Sequence, residues 1–386
     1  MLVSHVITRL ILGGAQENVV ATVLGLQSHA DYEVELISGP TSRDQTEGSI
    51  QHLVEGKPGL LTLVPDLVRP VSPLRDFRAF SKLRRHFQRR RPEIVHTHSG
   101  KAGILGRLAA RVAGVPQIIH TIHGPSFGSF QGFLPNLVFR TAERIAGIYT
   151  TRFVSVAEAM RQQYLRAGIG RAEEYTKIFS GFDLRPFLEA KNDFSLRERL
   201  GIEPDAFVIG KVGRLFELKG HDDLLAVAPQ IFRDEPKAKI LLIGGGEWRE
   251  RFEGIVRERG IREQVIFTGL VSPEEVASLI GIMDVVVHLS RREGLPRVIP
   301  QSLAAGKPVV AMDSDGAGEV CRNGETGYLI PVGDTAQLAA KILHLARKAE
   351  LRERFGRQGR LLVEKEFAIE TMVSRIIALY DEVTIR

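Results

Sequence analysis

Cysteine is nearly absent from this chain of 386 residues: Cys321 stands alone. A single thiol excludes a disulfide framework and a cysteine-built structural zinc site, and it fits a reducing compartment. Long apolar runs are missing too, and no uninterrupted stretch approaches the roughly 20 residues that span a bilayer. The first twenty residues read as a strand and a loop, not as a secretory leader, because Arg9 interrupts the apolar region and no cleavage site follows. These absences predict a cytoplasmic protein that can rest on a membrane without crossing it. Two phosphate-binding signatures are also absent. Gly244, Gly245 and Gly246 are consecutive and do not follow dinucleotide G-x-G-x-x-G spacing. "HSGKAG" lacks the leading glycine, and the Ser/Thr after Lys101, of a nucleoside-triphosphate loop.

What is present is an ordinary apolar fraction of 44 %, enough for two buried cores at this length. The net charge of +6 makes an anionic partner plausible: nucleic acid, an anionic membrane or a phosphorylated substrate. Short strands such as "YEVELISG", "EIVHTHSG" and "QIIHTIHG" alternate with helical segments, and each closes on glycine. "SHVITRLI" reads as the first strand, running up to Gly13 and Gly14. "RFVSVAEAMRQQYLRAG" reads as a strand and then a helix, with Ser155 as cap. The pattern restarts with "AFVIGKVGRL", "AKILLIGGG", "QVIFTGLV", "DVVVHLS" and "KPVVAMD". Residues 181–205, polar and mixed, read as a linker. The expected architecture is α/β: two doubly wound Rossmann-like domains, residues 1–185 and 186–367, followed by a helix over 368–386. Such sheets bind ligands beyond the carboxyl ends of their strands, which directs attention to strand-end residues.

In the second half, Arg214 lies just past a strand and Lys219 just before a helix, with Gly213 and Gly220 relaxing the backbone beside them. Two cations at this spacing can straddle a diphosphate; an ordinary basic loop is the alternative. In "SRREGLPRVIPQSLAAGKPVVA" the turn "RREGLP" places Glu293 at a strand end before a helix expected to start near Pro296 or Arg297. Its carboxylate can accept sugar hydroxyls, and the helix-end amides can hold an anion. It can equally answer the helix dipole or a neighbouring arginine. Asp313 and Asp315 form a D-x-D without a further ligand to complete a metal site, so no metal is expected. In the first half, His123 ends its strand and suits catalysis or sugar contact. His96, His98 and His120 alternate across neighbouring strands and read as structural.

The ordered set "RLILGGAQ", "HTHSGKAGILGRLAARVAGVP", "HTIHG", "GRLFELKG", "LLIGGG", "SRREGLPRVIPQSLAAGKPVVA" and "GAGEV" resembles the retaining nucleotide-sugar glycosyltransferases of family 4. The resemblance covers nearly the whole chain. It implies the GT-B architecture, two Rossmann-like domains facing each other across a cleft, with the last helix returning to the first domain. It implies that Arg214 and Lys219 hold the donor diphosphate. Glu293 would contact the sugar, and the Gly294 and Leu295 amides the distal phosphate. Gly13 and Gly14 would allow close approach, His123 would lie near the transferred sugar, and Glu319 would line the same site. No metal or other cofactor is implied; the donor is a nucleotide diphosphate sugar.

One position departs from the family pattern. Eight residues after Glu293 that pattern has a second glutamate, which contacts the ribose; here it is Gln301. An amide offers one acceptor and one donor head where a carboxylate accepts from two hydroxyls. The loss of a charge-assisted bond costs on the order of 1 kcal/mol. The expected reaction is hexosyl transfer with retention to a glycan, lipid-linked or small-molecule acceptor in cell-surface polysaccharide or glycolipid synthesis. No opposed carboxylate pair suggests a glycosidase. Residues 69–107 carry eleven basic residues against two acidic ones, and "FGSFQGFLPNLVFRTAERIAG" is aromatic and apolar. Both suit contact with an anionic membrane; a solubilising helix and core aromatics are the alternative. A non-catalytic nucleotide-sugar-binding or scaffolding relative stays open because of Gln301. Nucleic acid is not expected as a partner, since no recognition motif accompanies the charge.

Overall fold

A computed structural model of the chain describes residues 1–41, 48–128 and 131–385. The chain divides into two compact units: Met1–Phe182 with Phe367–Arg386, and Asp183–Glu366.

The first unit is built on a parallel sheet of strands β1 (Leu2–Ile7), β2 (Glu33–Ser38), β3 (Leu61–Leu63), β4 (Ile94–His98), β5 (Gln117–Ile122), β6 (Arg152–Ser155) and β7 (Tyr175–Lys177). Their order is β3-β2-β1-β4-β5-β6-β7, so the winding reverses between β1 and β4. Helices cover both faces, which is why β4 reads as an unbroken buried run. On one face, Val19, Val23 and Leu26 of the helix Gly14–Gln27 share a core with Val373, Ile376, Leu379 and Tyr380 of the final helix, Ile369–Thr384. At roughly 1.5–3 kcal/mol per buried side chain, the final helix is an integral layer of this unit. On the other face, Leu83 and Phe87 of the helix Pro73–Arg90 meet Ala102, Ala109 and Ala110 of the helix Gly100–Ala113.

The second unit has strands β8 (Phe207–Val212), β9 (Ala238–Ile243), β10 (Val265–Gly269), β11 (Val285–His288), β12 (Val309–Met312) and β13 (Gly327–Ile330), in the order β10-β9-β8-β11-β12-β13. This is the doubly wound dinucleotide-fold order, with its switch point between β8 and β11. Among the described residues, no helix is long and apolar enough to cross a membrane.

Three local expectations need correction. The first strand ends at Ile7, not beyond. From there the chain leaves the sheet: Ile11 pairs with Ser49 and the Leu12 amide donates to Gly48, so these apolar residues serve a separate loop. Ser155 is the last residue of β6, and the following helix Glu158–Arg166 has Ala157 at its N-cap position and no side-chain cap. Most of the stretch 181–205 is not a free linker. From Asp183 onward it belongs to the second unit, where buried Arg197 donates to the carbonyls of Pro204, Ala206 and Ile282.

Candidate active site

In the second unit the switch point brings the end of β8 beside the end of β11. Past β8, the short 3-10 turn Glu217–Lys219 leads into the helix His221–Asp234. Gly220 joins them at φ 67, and a Cβ there would fall 2.3 Å from the Leu289 carbonyl oxygen. Glycine is therefore required for this turn to close on the β11 end. That approach lets Lys219 form an ion pair with Glu293. Ser290 Oγ donates to the same carboxylate at 2.7 Å, and the Glu293 amide donates to Asp315 Oδ2 at 2.6 Å. Burial alone would raise the Glu293 pKa, but His288, Lys219 and the Ser290 hydroxyl outweigh it and hold the carboxyl below its ordinary range.

Beneath this pair lies Lys211, fully buried, its pKa pushed down to about 7 by burial and by repulsion from Lys219. His221 and His288 are buried alongside and neutral, at about 2 and about 4, each lowered first by burial. Arg214 stacks its guanidinium 4.7 Å over the Phe216 ring and has no carboxylate partner among the described residues. The glycine run has a local reason. Gly246, at φ 155, lies so close to Leu215 that a Cβ would sit 2.3 Å from its carbonyl oxygen. The run therefore cradles the Arg214–Leu215 turn, with the Leu215 amide donating to Gly245.

Lys219 and Glu293 are thus directly joined. The Gly316 amide donates to the Gly294 carbonyl at 3.1 Å, tying the Glu293 turn to the segment that leads into the 3-10 turn ending at Glu319. Asp315 of the D-x-D is spent on the Glu293 amide, from a left-handed backbone at φ 45. Leu295 and Gln301 are half-buried. Gln301 sits in the helix Val298–Ala304, which begins one to two residues later than expected, and makes no side-chain bond to Glu293.

In the first unit, the β1 and β4 ends open on a cavity of about 490 Å³ whose lining includes Arg9, Gln16, Ser99, Lys101, His123 and Ser126. Gly13 and Gly14 start the neighbouring helix, but Ala15 and Gln16 form that part of the wall. Lys101 donates to the Pro70 carbonyl and pairs with Asp76. Ser126 Oγ donates to Glu143 at 2.7 Å, and Glu143 is fully buried in an ion pair with Arg107.

Behind His123 lies a histidine cluster whose fifth member sequence reasoning missed: His5, opposite His96 in the β1–β4 register. The side-chain nitrogens of His5, His96 and His98 lie within 4.8 Å of one another, a spacing that invites a metal. Every one of those nitrogens is already hydrogen-bonded, however. His5 contacts His98 and Tyr380, His96 contacts Tyr380 and Thr121, and His98 contacts His5 and His123. A metal would have to displace these bonds. His120 faces the other side, against Thr97 at 2.9 Å. The period-two alternation of "IVHTH" was the available signal for this split.

Two family descriptions match the chain: "Glycosyl transferases group 1" over residues 192–362 and "Glycosyl transferase 4-like domain" over residues 13–176. EpsD of Bacillus subtilis (strain 168), a glycosyltransferase by provisional name, is 30 % identical over 276 residues, covering 69 % of this chain and 71 % of its own. The UDP-Gal:alpha-D-GlcNAc-diphosphoundecaprenol alpha-1,3-galactosyltransferase of Escherichia coli is 28 % identical over 339 residues, 86 % of this chain and 84 % of its own. HepE of Anabaena, solved in complex with UDP, superposes with a TM-score of 0.83 at 21 % identity over 99 % of this chain and 100 % of its own, a likeness of fold. With the switch-point cations, the Glu293 turn and these matches in hand, the chain belongs to the glycosyl transferases group 1 family and is a glycosyltransferase of GT-B type.

Proposed function

We propose that the protein transfers a hexosyl group from a nucleoside diphosphate sugar, with retention, to a glycan or lipid-linked acceptor at the cytoplasmic face of a membrane. The observation that carries the donor reading is the switch point of the second unit. There Arg214, without a carboxylate partner among the described residues, stands past β8, and Lys219 and Glu293 are locked together beside it. A diphosphate leaving group gathers negative charge as the C1–O bond breaks. Preorganised cations stabilise that charge without reorganising at the moment of reaction. Lys219 answers the phosphate while holding Glu293, whose remaining lone pairs suit sugar hydroxyls. The Gly294 and Leu295 amides add donors for the distal phosphate, and Glu319 belongs to the same wall. Gln301 serves the ribose with one acceptor and one donor.

Retention follows a front-face route in this reading. The acceptor oxygen bonds C1 on the side the phosphate leaves, and its proton passes to the departing phosphate oxygen. Glu293, already paired with Lys219, is poorly placed to act as a nucleophile. No metal is assigned in this reading. The E. coli relative supports a diphosphate-linked lipid acceptor.

Membrane contact is supported by surface chemistry in the first unit. The helix Phe133–Gly147 leaves Phe133 84 % and Leu134 67 % exposed, and the helix Pro73–Arg90 leaves Phe77 67 % exposed among exposed arginines. Ser129 and Phe130 of the aromatic segment lie outside the described residues. Apolar side chains set among cations bind anionic lipid through both terms.

The test is transfer or hydrolysis across UDP-galactose, UDP-glucose and GDP-mannose, with Arg214→Ala and Lys219→Ala beside the native chain. Each substitution is expected to lower turnover by about 10²–10³ with the fold intact. Unchanged donor-dependent transfer in both refutes the assignment. Donor binding without any turnover would instead support a binding relative. Co-sedimentation with phosphatidylglycerol vesicles that weakens at high salt supports the membrane reading, and none at low salt removes it.

A further inference from the structure

We infer that a buried single-file chain of hydrogen bonds, Thr121–His96–Tyr380–His5–His98–His123, holds His123 as its Nδ1–H tautomer. His123 is thereby made a hydrogen-bond donor to the ligand of the 490 Å³ cavity. Tyr380 and His98 are then positioning residues. The inference rests on the proposed role of His123 as a ligand contact.

The five links are Thr121 Oγ1 to His96 Nε2 at 2.7 Å, His96 Nδ1 to Tyr380 Oη at 2.6 Å, Tyr380 Oη to His5 Nε2 at 3.2 Å, His5 Nδ1 to His98 Nε2 at 3.0 Å, and His98 Nδ1 to His123 Nε2 at 3.1 Å. Burial pushes all four rings down, to about 3 for His5, about 4 for His123, and well below the ordinary value for His96 and His98. At neutral pH each ring therefore carries one proton, with one nitrogen donating and the other accepting. Tyrosine and threonine each have one proton as well. Each imidazole must donate on one side and accept on the other, and buried Tyr380 can accept from both neighbours only by leaving its own proton without a partner, so two directions keep every interior proton paired.

Thr121 decides between the two. It is 3 % exposed, and His96 is its only side-chain hydrogen-bond partner among the described residues. If the chain runs outward from Thr121, its hydroxyl donates to His96 Nε2 and every buried proton in the chain has an acceptor. If the chain runs inward, Thr121 accepts from His96 and its own proton is buried without a partner, which costs more than a bond is worth. The outward direction protonates Nδ1 in all four rings. It leaves His123 Nδ1–H as the ring's one uncommitted polar atom, in a half-buried residue that lines the cavity. His123 then offers a proton to a ligand oxygen. To take one, the links from His123 back to Tyr380 would have to reverse, which strands a buried hydroxyl proton, so His123 is poorly placed as a general base. The final helix also acquires a role, because Tyr380 links it to the cavity through His5 and His98.

Histidine-selective ¹⁵N labelling of the full chain, read by long-range ¹H–¹⁵N correlation at pH 7.5, measures the tautomers directly. Signals are assigned by single His→Gln variants. The expected result is Nδ1–H at His5, His96, His98 and His123; Nε2–H at these rings overturns the inference. Tyr380→Phe keeps the ring and removes the hydroxyl. It is expected to move both His123 nitrogen signals and to lower transfer kcat/KM roughly tenfold, the worth of one strained or lost hydrogen bond. Unmoved His123 signals in folded Tyr380→Phe overturn the coupling. Should that variant not fold, Thr121→Val at the far end of the chain supplies the same readout. Transfer by His123→Ala at the native rate would refute the ligand-contact role of His123 and leave the tautomers to judge the chain separately.

Discussion

Acidification from pH 7.5 to 5 should unfold the first unit before the second. That unit buries five neutral imidazoles. His5 and His123 are held at about 3 and about 4, and His96, His98 and His120 lie well below 6.5, with burial the first cause in each. The second unit buries two, His221 at about 2 and His288 at about 4. Below pH 6.5 the unfolded chain takes up protons that the folded rings refuse. The unfolded state then binds more protons, stability rises with pH in this window, and it is lost as pH falls. Each ring contributes at most about 1.4 kcal/mol per pH unit. Five rings therefore contribute at most about 7 kcal/mol per pH unit in the first unit, against at most about 3 for two rings in the second. Domains carry about 5–15 kcal/mol in all, so the first unit exhausts its margin within about one to two pH units below 6.5. Carboxylates held low, such as Glu35, act only at lower pH. The assay follows from the composition. The single tryptophan, Trp248, lies in the second unit, so its fluorescence reports that unit while far-UV circular dichroism reports both. Loss of roughly half the dichroism before any change at Trp248 is the expected outcome. Urea midpoints that stay level between pH 7 and 5 would refute the reasoning, because rings protonated in the fold, or solvated, give no such slope.

Lys211, with its pKa depressed from 10.5 to about 7, makes the native state more stable as pH rises between those values. Lys211→Met should abolish that rise in thermal melts from pH 7 to 10. Glu143→Ala would leave Arg107 buried without its partner, and a loss of about 3–5 kcal/mol is expected in denaturant unfolding. Gln301→Glu should change the donor KM by up to about fivefold, with kcat kept, a shift on the order of 1 kcal/mol in ribose contact. Equal donor affinities by calorimetry would place Gln301 outside the donor site.

The strand ends are legible in the sequence because parallel strands buried on both faces are written as short apolar runs that close on glycine. Arg214, Lys219 and Glu293 stood out for that reason, and Gln301 for its place in the same stretch. Other features were not legible. Apolar Leu10 and Ile11 continue the alternation of β1, yet they pair with a loop some forty residues on, and local pattern carries no sign of that partner. The polar segment after residue 182 looks like a linker, but its Arg197 is buried by carbonyls that only the folded second unit supplies.

By itself, the sequence determined the class of the protein: two α/β units, their strand-end cations and the order of motifs that marks a glycosyltransferase. The two units and their strand-end cations are local properties, set by periodicity of two and 3.6 residues and by turn chemistry, whereas the glycosyltransferase reading is what the resemblance of the ordered motifs implies. Tertiary structure alone decided which distant side chains meet. Lys219 reaches Glu293 because Gly220 lets two strand ends close together. Tyr380 reaches His5 and His96 because the final helix buries its apolar face on the first sheet. Hydrogen bonds and ion pairs act over a few ångströms, and only the packing of the core brings residues hundreds of positions apart within that range.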